Sequence, residues 1–174
     1  MNKDYDLIIV GGGLVGASLG CALIGTDISI AIIEPTMPSS SSQPSFDERT
    51  IVLNYSSYQV FKALGIWPSL EGNNEAWPIT DIEVSELGQK AKTSLSCQDV
   101  ATQALGYVVP TRSIGSSLYE KIQLAENITL LCPEQAQDIC HHDNHVEVKL
   151  QNESKTSLTA KLIAIADGGR SSLR

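Results

Sequence analysis

Three glycines, Gly11, Gly13 and Gly16, set between two short apolar runs, constrain this chain more than any other feature. In YDLIIVGGGLVGASLGCALIGTDISIAIIE, Tyr5 to Val10 reads as a buried strand, Leu14 to Ile24 as a helix and Ile28 to Ile33 as a second strand. A strand, glycine turn, helix and strand in that order form a βαβ unit suited to a dinucleotide. Gly11 can make the tight turn. Gly13 has no side chain to hold a diphosphate away from the backbone N–H groups, and Gly16 lets the helix pack close to its strand. Leu14 and Val15 open that helix, where unpaired N–H donors and the positive end of the dipole stabilise phosphate without a basic side chain. Glu34 follows Gly16 by 18 positions (34 − 16). That is close to the offset at which an acid accepts hydrogen bonds from a ribose 2′-OH, and an acid there disfavours a 2′-phosphate.

The uncharged stretch Leu7 to Thr26 approaches the ~20 residues that a bilayer requires. Three adjacent glycines and an acid at the end of the second strand argue against a membrane span. A net charge of −8 and a pI near 4.8 make nucleic acid a poor candidate for a partner, because such binding depends on Lys and Arg neutralising phosphates. The opening residues MNKDYD carry two acids and no secretory pattern, which leads to the expectation of a cytoplasmic protein. Cys21, Cys97, Cys132 and Cys140 form no C-x-x-C pair and read as reduced structural thiols.

With 174 residues and 42% hydrophobic content, the chain can bury the core of one ordinary domain. The expected fold is α/β: a Rossmann-like βαβ domain with a parallel sheet and a small antiparallel annex. One domain over 1–174 is expected, with antiparallel insertions near 79–109 and 134–161. After a Ser- and Pro-rich loop from Pro35 to Pro44, apolar residues recur at helical spacing up to Leu64 and Gly65. Ile79 to Leu87, Lys92 to Ser96 and Tyr107 to Val109 read as strands. Ser113 to Ala125 is an amphipathic helix that returns through a strand at Ile128 to Leu131. Ile139 to His141 and Val146 to Leu150 flank Asp143-Asn144 as a hairpin, Ser157 to Lys161 adds a strand, and Leu162 to Ala166 re-enters the parallel sheet. His141, His142 and His145 read as a solvated hairpin tip, since no acid or Cys completes a metal-ligand spacing. No metal site, internal repeat or nucleophilic triad is expected.

The last strand runs LIAIADGGRSSLR. It resembles the D-G motif of flavoprotein aromatic hydroxylases, A-D-G-x-x-S-x-x-R, through Ala166, Asp167, Gly168, Ser171 and Arg174. FDERTIVLNYSSYQVFKALGIWPSL and GYVVPTRSIGSSLYEKI carry the likeness further, so that nearly the whole chain is similar to the ubiquinone-biosynthesis hydroxylases. The resemblance implies FAD as cofactor, with Gly11, Gly13, Leu14, Val15 and Gly16 on its diphosphate and Glu34 on the adenosine ribose. Arg49, Arg112, Asp167 and Gly168 are implied near the flavin side. It implies NAD(P)H as reductant, and a polyprenylated phenol and molecular oxygen as substrates. It also implies a place at the inner membrane face or beside other enzymes of that pathway. The resembled enzymes continue past the D-G motif with a later G-D motif and a substrate-covering sheet, so the chain is expected to be the N-terminal part of a longer enzyme. No catalytic acid or base is assigned. An NAD-dependent oxidoreductase and a non-catalytic nucleotide-binding domain are the alternatives.

Overall fold

The computed structural model describes residues 3–36, 49–86, 88, 92–152, 156–169, 171 and 173. In chain order the elements are β1 (Lys3–Val10), α1 (Leu14–Ala22), β2 (Ile30–Ile33), β3 (Thr50–Asn54), α2 (Tyr55–Ala63), α3 (Trp67–Gly72) and β4 (Trp77–Ile79). They continue with β5 (Asp81–Ser85), β6 (Lys92–Ser96), β7 (Gly106–Pro110), α4 (Thr111–Gln123), β8 (Ile128–Leu131), β9 (Ala136–His141), β10 (Val146–Leu150) and β11 (Ser157–Ile165). The chain divides into two compact units, Met1–Asp47 with Gly115–Arg174, and Glu48–Ile114.

The first unit is built on a six-stranded sheet of order β8-β2-β1-β11-β10-β9. The four strands β8, β2, β1 and β11 are parallel, while β10 and β9 extend the sheet antiparallel. A parallel strand is covered on both faces, which is why β2 and the second half of β1, Leu7 to Val10, are apolar throughout rather than alternating; all four residues of β2 are buried. Ile8, Val10, Ala31, Ile33, Val148, Leu158 and Ala160 fill one side. On the other, helix α1 comes so near the sheet that a Cβ at Gly20 would stand 2.8 Å from Ile32 Cδ1 and 3.9 Å from Ile122 Cδ1 of α4. Cys21 of α1 donates its thiol to the Leu118 carbonyl of α4 at 3.4 Å. Burial pushes that thiol up to about 11, so it stays protonated and packs as a small hydrophobe.

The second unit contains the three-stranded antiparallel sheet β3-β7-β4 and the β5-β6 hairpin. Asn54 ends β3 and caps α2 by accepting the Ser57 N–H at 2.8 Å. Trp67 is fully buried and meets Tyr58 and Tyr107 edge-on at 4.6 and 4.7 Å between ring centroids. Its indole N–H, which must find an acceptor when buried, donates to Glu71 Oε1 at 2.8 Å.

Several elements differ from the sequence reading. Helix α1 stops at Ala22 because the chain turns through Gly25 at φ +77°, and β2 starts only at Ile30. The expected strand Ile79 to Leu87 is two strands in separate sheets; Pro78, with no N–H to donate, sits on the edge strand β4. Ser157 to Lys161 and Leu162 onward are one strand, β11, whose first half pairs with β10 and whose residues Leu158 to Ile165 pair with β1. Helix α3, opened by Pro68, and strand β3 were not anticipated. Of the loop at 35–44, residues 37–44 lie outside the described residues, as do Phe46 and Leu87.

Midway along β1, Asp6 ties that strand to β11 and to the residue that precedes β2. It accepts Lys161 Nζ of β11 at 2.7 Å and both the N–H and Oγ of Ser29 at 2.9 and 2.8 Å. The Lys161 hydrogen bond, with the two from Ser29, holds the Asp6 carboxyl well below the usual carboxylate range. A depressed pKa adds stability that is complete above the unfolded value of about 3.9 and is lost as pH falls below it. Asp6→Asn should therefore lower the urea midpoint at pH 7, and the gap from wild type should narrow progressively as pH falls below about 4. A gap independent of pH would remove Asp6 from this role.

Candidate dinucleotide site

The glycine turn follows β1 at the carboxyl ends of the parallel strands. Strand order reverses here, since the chain passes from β1 to β2 and β8 on one side while β11 lies on the other. Ligands of doubly wound sheets bind in the crevice at such a point. Gly11 donates to the Ile33 carbonyl at 2.9 Å, and Ala166 donates to the Val10 carbonyl at 2.7 Å, so the turn is pinned between the ends of β2 and β11. At φ +99° Gly11 has a backbone conformation that L side chains rarely adopt, and a Cβ would stand 2.5 Å from the Ala166 carbonyl oxygen. The first fingerprint glycine and the Asp167-Gly168 turn are thus packed backbone to backbone.

Gly13 is the N-cap of α1, with φ −64° and ψ −173°, and no side chain caps the helix. The first-turn N–H groups of Leu14, Val15 and Gly16 lack intrahelical partners by construction. Val15 leaves 73% of its surface exposed in this first turn, an apolar side chain that brings no competing charge. Gly16 is buried, and a Cβ on it would collide with the Gly11 carbonyl oxygen and approach Ile9 Cγ2 at 3.1 Å. That contact is the close helix–strand approach inferred from the spacing.

Glu34 is 93% buried at the end of β2, and both its carboxylate oxygens are engaged. Oε2 accepts the Gly12 N–H at 2.7 Å and Oε1 accepts the Thr36 N–H at 3.0 Å. Each carboxylate oxygen has a second lone pair, so two acceptor positions remain for a vicinal diol. Next to it, burial and then the Glu34 charge push the Cys132 thiol up. Across the turn, Asp167 Oδ1 is buried and has no hydrogen-bond partner among the described residues. Gly168 follows at φ +87°. The side-chain-free cradle and the unpaired Asp167 oxygen both fit a bound dinucleotide, because an orphaned buried acceptor is otherwise a net cost.

Arg49 and Arg112 belong to the second unit. Thr111 donates both its N–H and its Oγ1 to the Arg49 carbonyl at 2.9 and 3.1 Å, which brings the two arginines to one end of the β3–β7 pair. Arg112 Nη2 is 3.6 Å from Glu75 Oε1. Ser171 is described; Arg174, the last position of the D-G pattern, lies outside the described residues. His142 and His145 stack at the hairpin tip with centroids 4.4 Å apart, and among the described residues no group of His, Cys, Asp and Glu could hold a metal ion. Sequence reasoning missed the Gly12–Glu34 bond, because the fingerprint leaves position 12 unspecified.

The FAD binding domain family matches residues 4–174. The chain belongs to that family. It is 30% identical to a mitochondrial ubiquinone biosynthesis monooxygenase of Dictyostelium discoideum, with 100% of this chain and 39% of the relative covered. It is 27% identical to the 3-demethoxyubiquinol 3-hydroxylase of Escherichia coli, with 99% of this chain and 44% of the relative covered. This FAD-binding domain therefore spans about two fifths of the curated relatives it matches. In structure it is similar to p-nitrophenol 4-monooxygenase from Pseudomonas putida, with a TM-score of 0.81 and 18% identity over 99% of this chain and 43% of that one. It also matches a flavin-dependent monooxygenase solved in complex with FAD and substrate, at a TM-score of 0.74 and 15% identity over 96% of this chain and 31% of that one. The likeness to the ubiquinone-biosynthesis hydroxylases read from the sequence is thus borne out over the whole chain.

The geometry separates two substitutions. Gly13 has extended backbone angles open to any residue, so Gly13→Val should leave the thermal midpoint near wild type while abolishing FAD binding, since the new side chain fills the diphosphate space. Glu34→Ala should weaken FAD binding and also destabilise the cofactor-free chain by about 1–3 kcal/mol, because the buried Gly12 N–H loses its acceptor. Thermal melts and FAD titrations of both variants check the pair; equal melting effects would contradict the distinction.

Proposed function

We propose that this chain is the FAD-binding part of an FAD-dependent, NAD(P)H-using monooxygenase that hydroxylates a polyprenylated phenol in ubiquinone biosynthesis. The observation that carries the proposal is the convergence of Glu34, the glycine turn and the Asp167-Gly168 turn at one switch point. Similarity to ubiquinone-biosynthesis enzymes along the full chain supports the substrate class.

In this reading the N-terminus of α1 and Gly11, Gly13, Leu14, Val15 and Gly16 hold the FAD diphosphate, by N–H donation and the helix dipole. Glu34 accepts from the adenosine ribose with the two acceptor positions its backbone bonds leave open. Asp167 and Gly168 take the neighbouring part of the cofactor, and Arg49 and Arg112 its flavin side. Bound FAD supplies the redox chemistry with NAD(P)H and molecular oxygen, and the protein binds, orients and shields it. The two N–H bonds on Glu34 fix its carboxylate before the ribose arrives, so little ordering remains to be done on binding.

A polyprenyl tail brings substrate and enzyme together at a membrane surface, so a cytoplasmic protein lying at the inner membrane face, among other enzymes of the pathway, is part of the proposal. Among the described residues no helix is long and apolar enough to cross a membrane. The test is genetic and chemical. Disrupting the reading frame that encodes this chain should deplete ubiquinone and accumulate a less hydroxylated prenyl phenol, measured by mass spectrometry of lipid extracts. A wild-type copy should restore the quinone and a Gly13→Val copy should not. Unchanged quinone content after disruption would overturn the assignment.

A further inference from the structure

The dinucleotide fingerprint asks nothing of residue 12, yet the structure leaves no room there for any side chain. A Cβ at Gly12 would collide with the hydroxyl of Tyr119 and would stand 3.0 Å from Glu34 Cβ and 3.3 Å from Glu34 Cγ. Below 3.0 Å, as at the Tyr119 hydroxyl, something must shift; at 3.0–3.4 Å, as along the Glu34 stem, the neighbour must give by a few tenths of an ångström. Two of the three partners are the stem of Glu34, whose backbone is fixed by hydrogen bonds to Leu131 and Glu134 at 3.0 Å each and whose carboxylate holds the Gly12 N–H itself. The third is the end of a ring that is 97% buried on α4. Its helix is anchored by Leu118 and Ile122, both nearly inaccessible, and by the Cys21–Leu118 bond to α1.

We propose that Tyr119 is a positioning residue of the dinucleotide site, acting through Gly12 and Glu34. It rests on the FAD reading above and extends it to a residue that touches neither the fingerprint glycines nor the D-G turn in sequence. The tyrosine ring backs the glycine turn, so residue 12 must be glycine, and a glycine there keeps its N–H within 2.7 Å of Glu34 Oε2. The same wedge therefore sets both the path of the turn and the orientation of the carboxylate that would receive the ribose. Residues 12, 34 and 119 all lie in the first unit. The consequence is a coupling: an alanine at position 12 is most harmful while the Tyr119 hydroxyl is present, because that contact is the severest of the three.

The experiment compares wild type, Gly12→Ala, Tyr119→Phe and the double variant in the full chain. Thermal melts are read without ligand, and affinities for FAD and for ADP, as the adenosine half alone, are read by calorimetry. Overpacking a tight site forces its neighbours out of place, so Gly12→Ala should depress the melting temperature. By displacing the Glu34 carboxylate it should also lower ADP and FAD affinity by roughly tenfold or more. Tyr119→Phe, which keeps the ring and removes only the colliding oxygen, should fold and bind within about threefold of wild type. In its presence Gly12→Ala should recover most of both losses. Additive effects in the melts, or a Gly12→Ala chain that melts and binds as wild type does, would overturn the proposal. Coupling in the melts with unaltered affinity across all four proteins would also overturn it, because Tyr119 would then shape the fold without positioning the site. If none of the four takes up FAD or ADP while the melts remain coupled, the cofactor reading fails and the packing of Tyr119 on residue 12 stands. Should Gly12→Ala fail to fold, a soluble double variant would itself supply the rescue that the proposal requires, and an insoluble one would refute it.

Discussion

The bond between the Gly12 N–H and the buried Glu34 carboxylate is the interaction on which the first unit's working end depends. A parallel sheet ends in loose carbonyls and N–H groups, and a tight turn through three glycines would be among the least ordered parts of any chain. Glu34 gives that turn a fixed acceptor on one side, while the carbonyl at Ala166 closes against Gly11 on the other. Burying a carboxylate costs free energy unless charge-assisted hydrogen bonds offset it. Here two backbone N–H groups do so in the absence of any basic side chain in the first turn of α1. The acidic residue is therefore part of the fold before it is part of any binding event.

The second unit is organised on a different principle. Its sheet has only three strands, so the apolar mass comes from rings: Tyr58, Trp67 and Tyr107 stack edge-on and tilted within 5 Å of one another. Gly106 lets β7 approach β3 so closely that a Cβ would stand 2.5 Å from the Leu53 carbonyl oxygen. That approach keeps Tyr107 in register opposite Leu53 and delivers Arg112 and Arg49 to the same end of the sheet.

How much of this was legible follows from which interactions are local. The βαβ unit was readable because each of its parts has a local cause: apolar strands, glycines with distinct steric roles, and an acid at a fixed offset. The D-G turn was readable as a motif, and its position beside Gly11 follows from β11 running parallel to β1 from Leu158 to Ile165. What could not be read was any feature decided by distant partners. The continuity of β11 depends on two neighbours on opposite sides, 155 positions away in one case (158 − 3) and a hairpin away in the other. Likewise the demand for glycine at position 12 comes from a tyrosine more than a hundred positions later, and no window along the chain contains both.

Glu34 and Asp167 also differ in how completely the fold satisfies them, and that difference bears on the order in which a dinucleotide would engage. Glu34 has both oxygens bonded to backbone N–H groups, so its position is determined without a ligand. Asp167 has a buried oxygen with nothing to accept from among the described residues, an arrangement that a folded chain tolerates at a net cost. A ligand that donates to that oxygen recovers the cost, so binding at Asp167 gains more from contact than binding at Glu34, where the gain comes from preorganisation. In the proposed reading the adenosine end meets a ready-made acceptor, and the D-G end returns stabilisation to the fold by pairing the Asp167 oxygen.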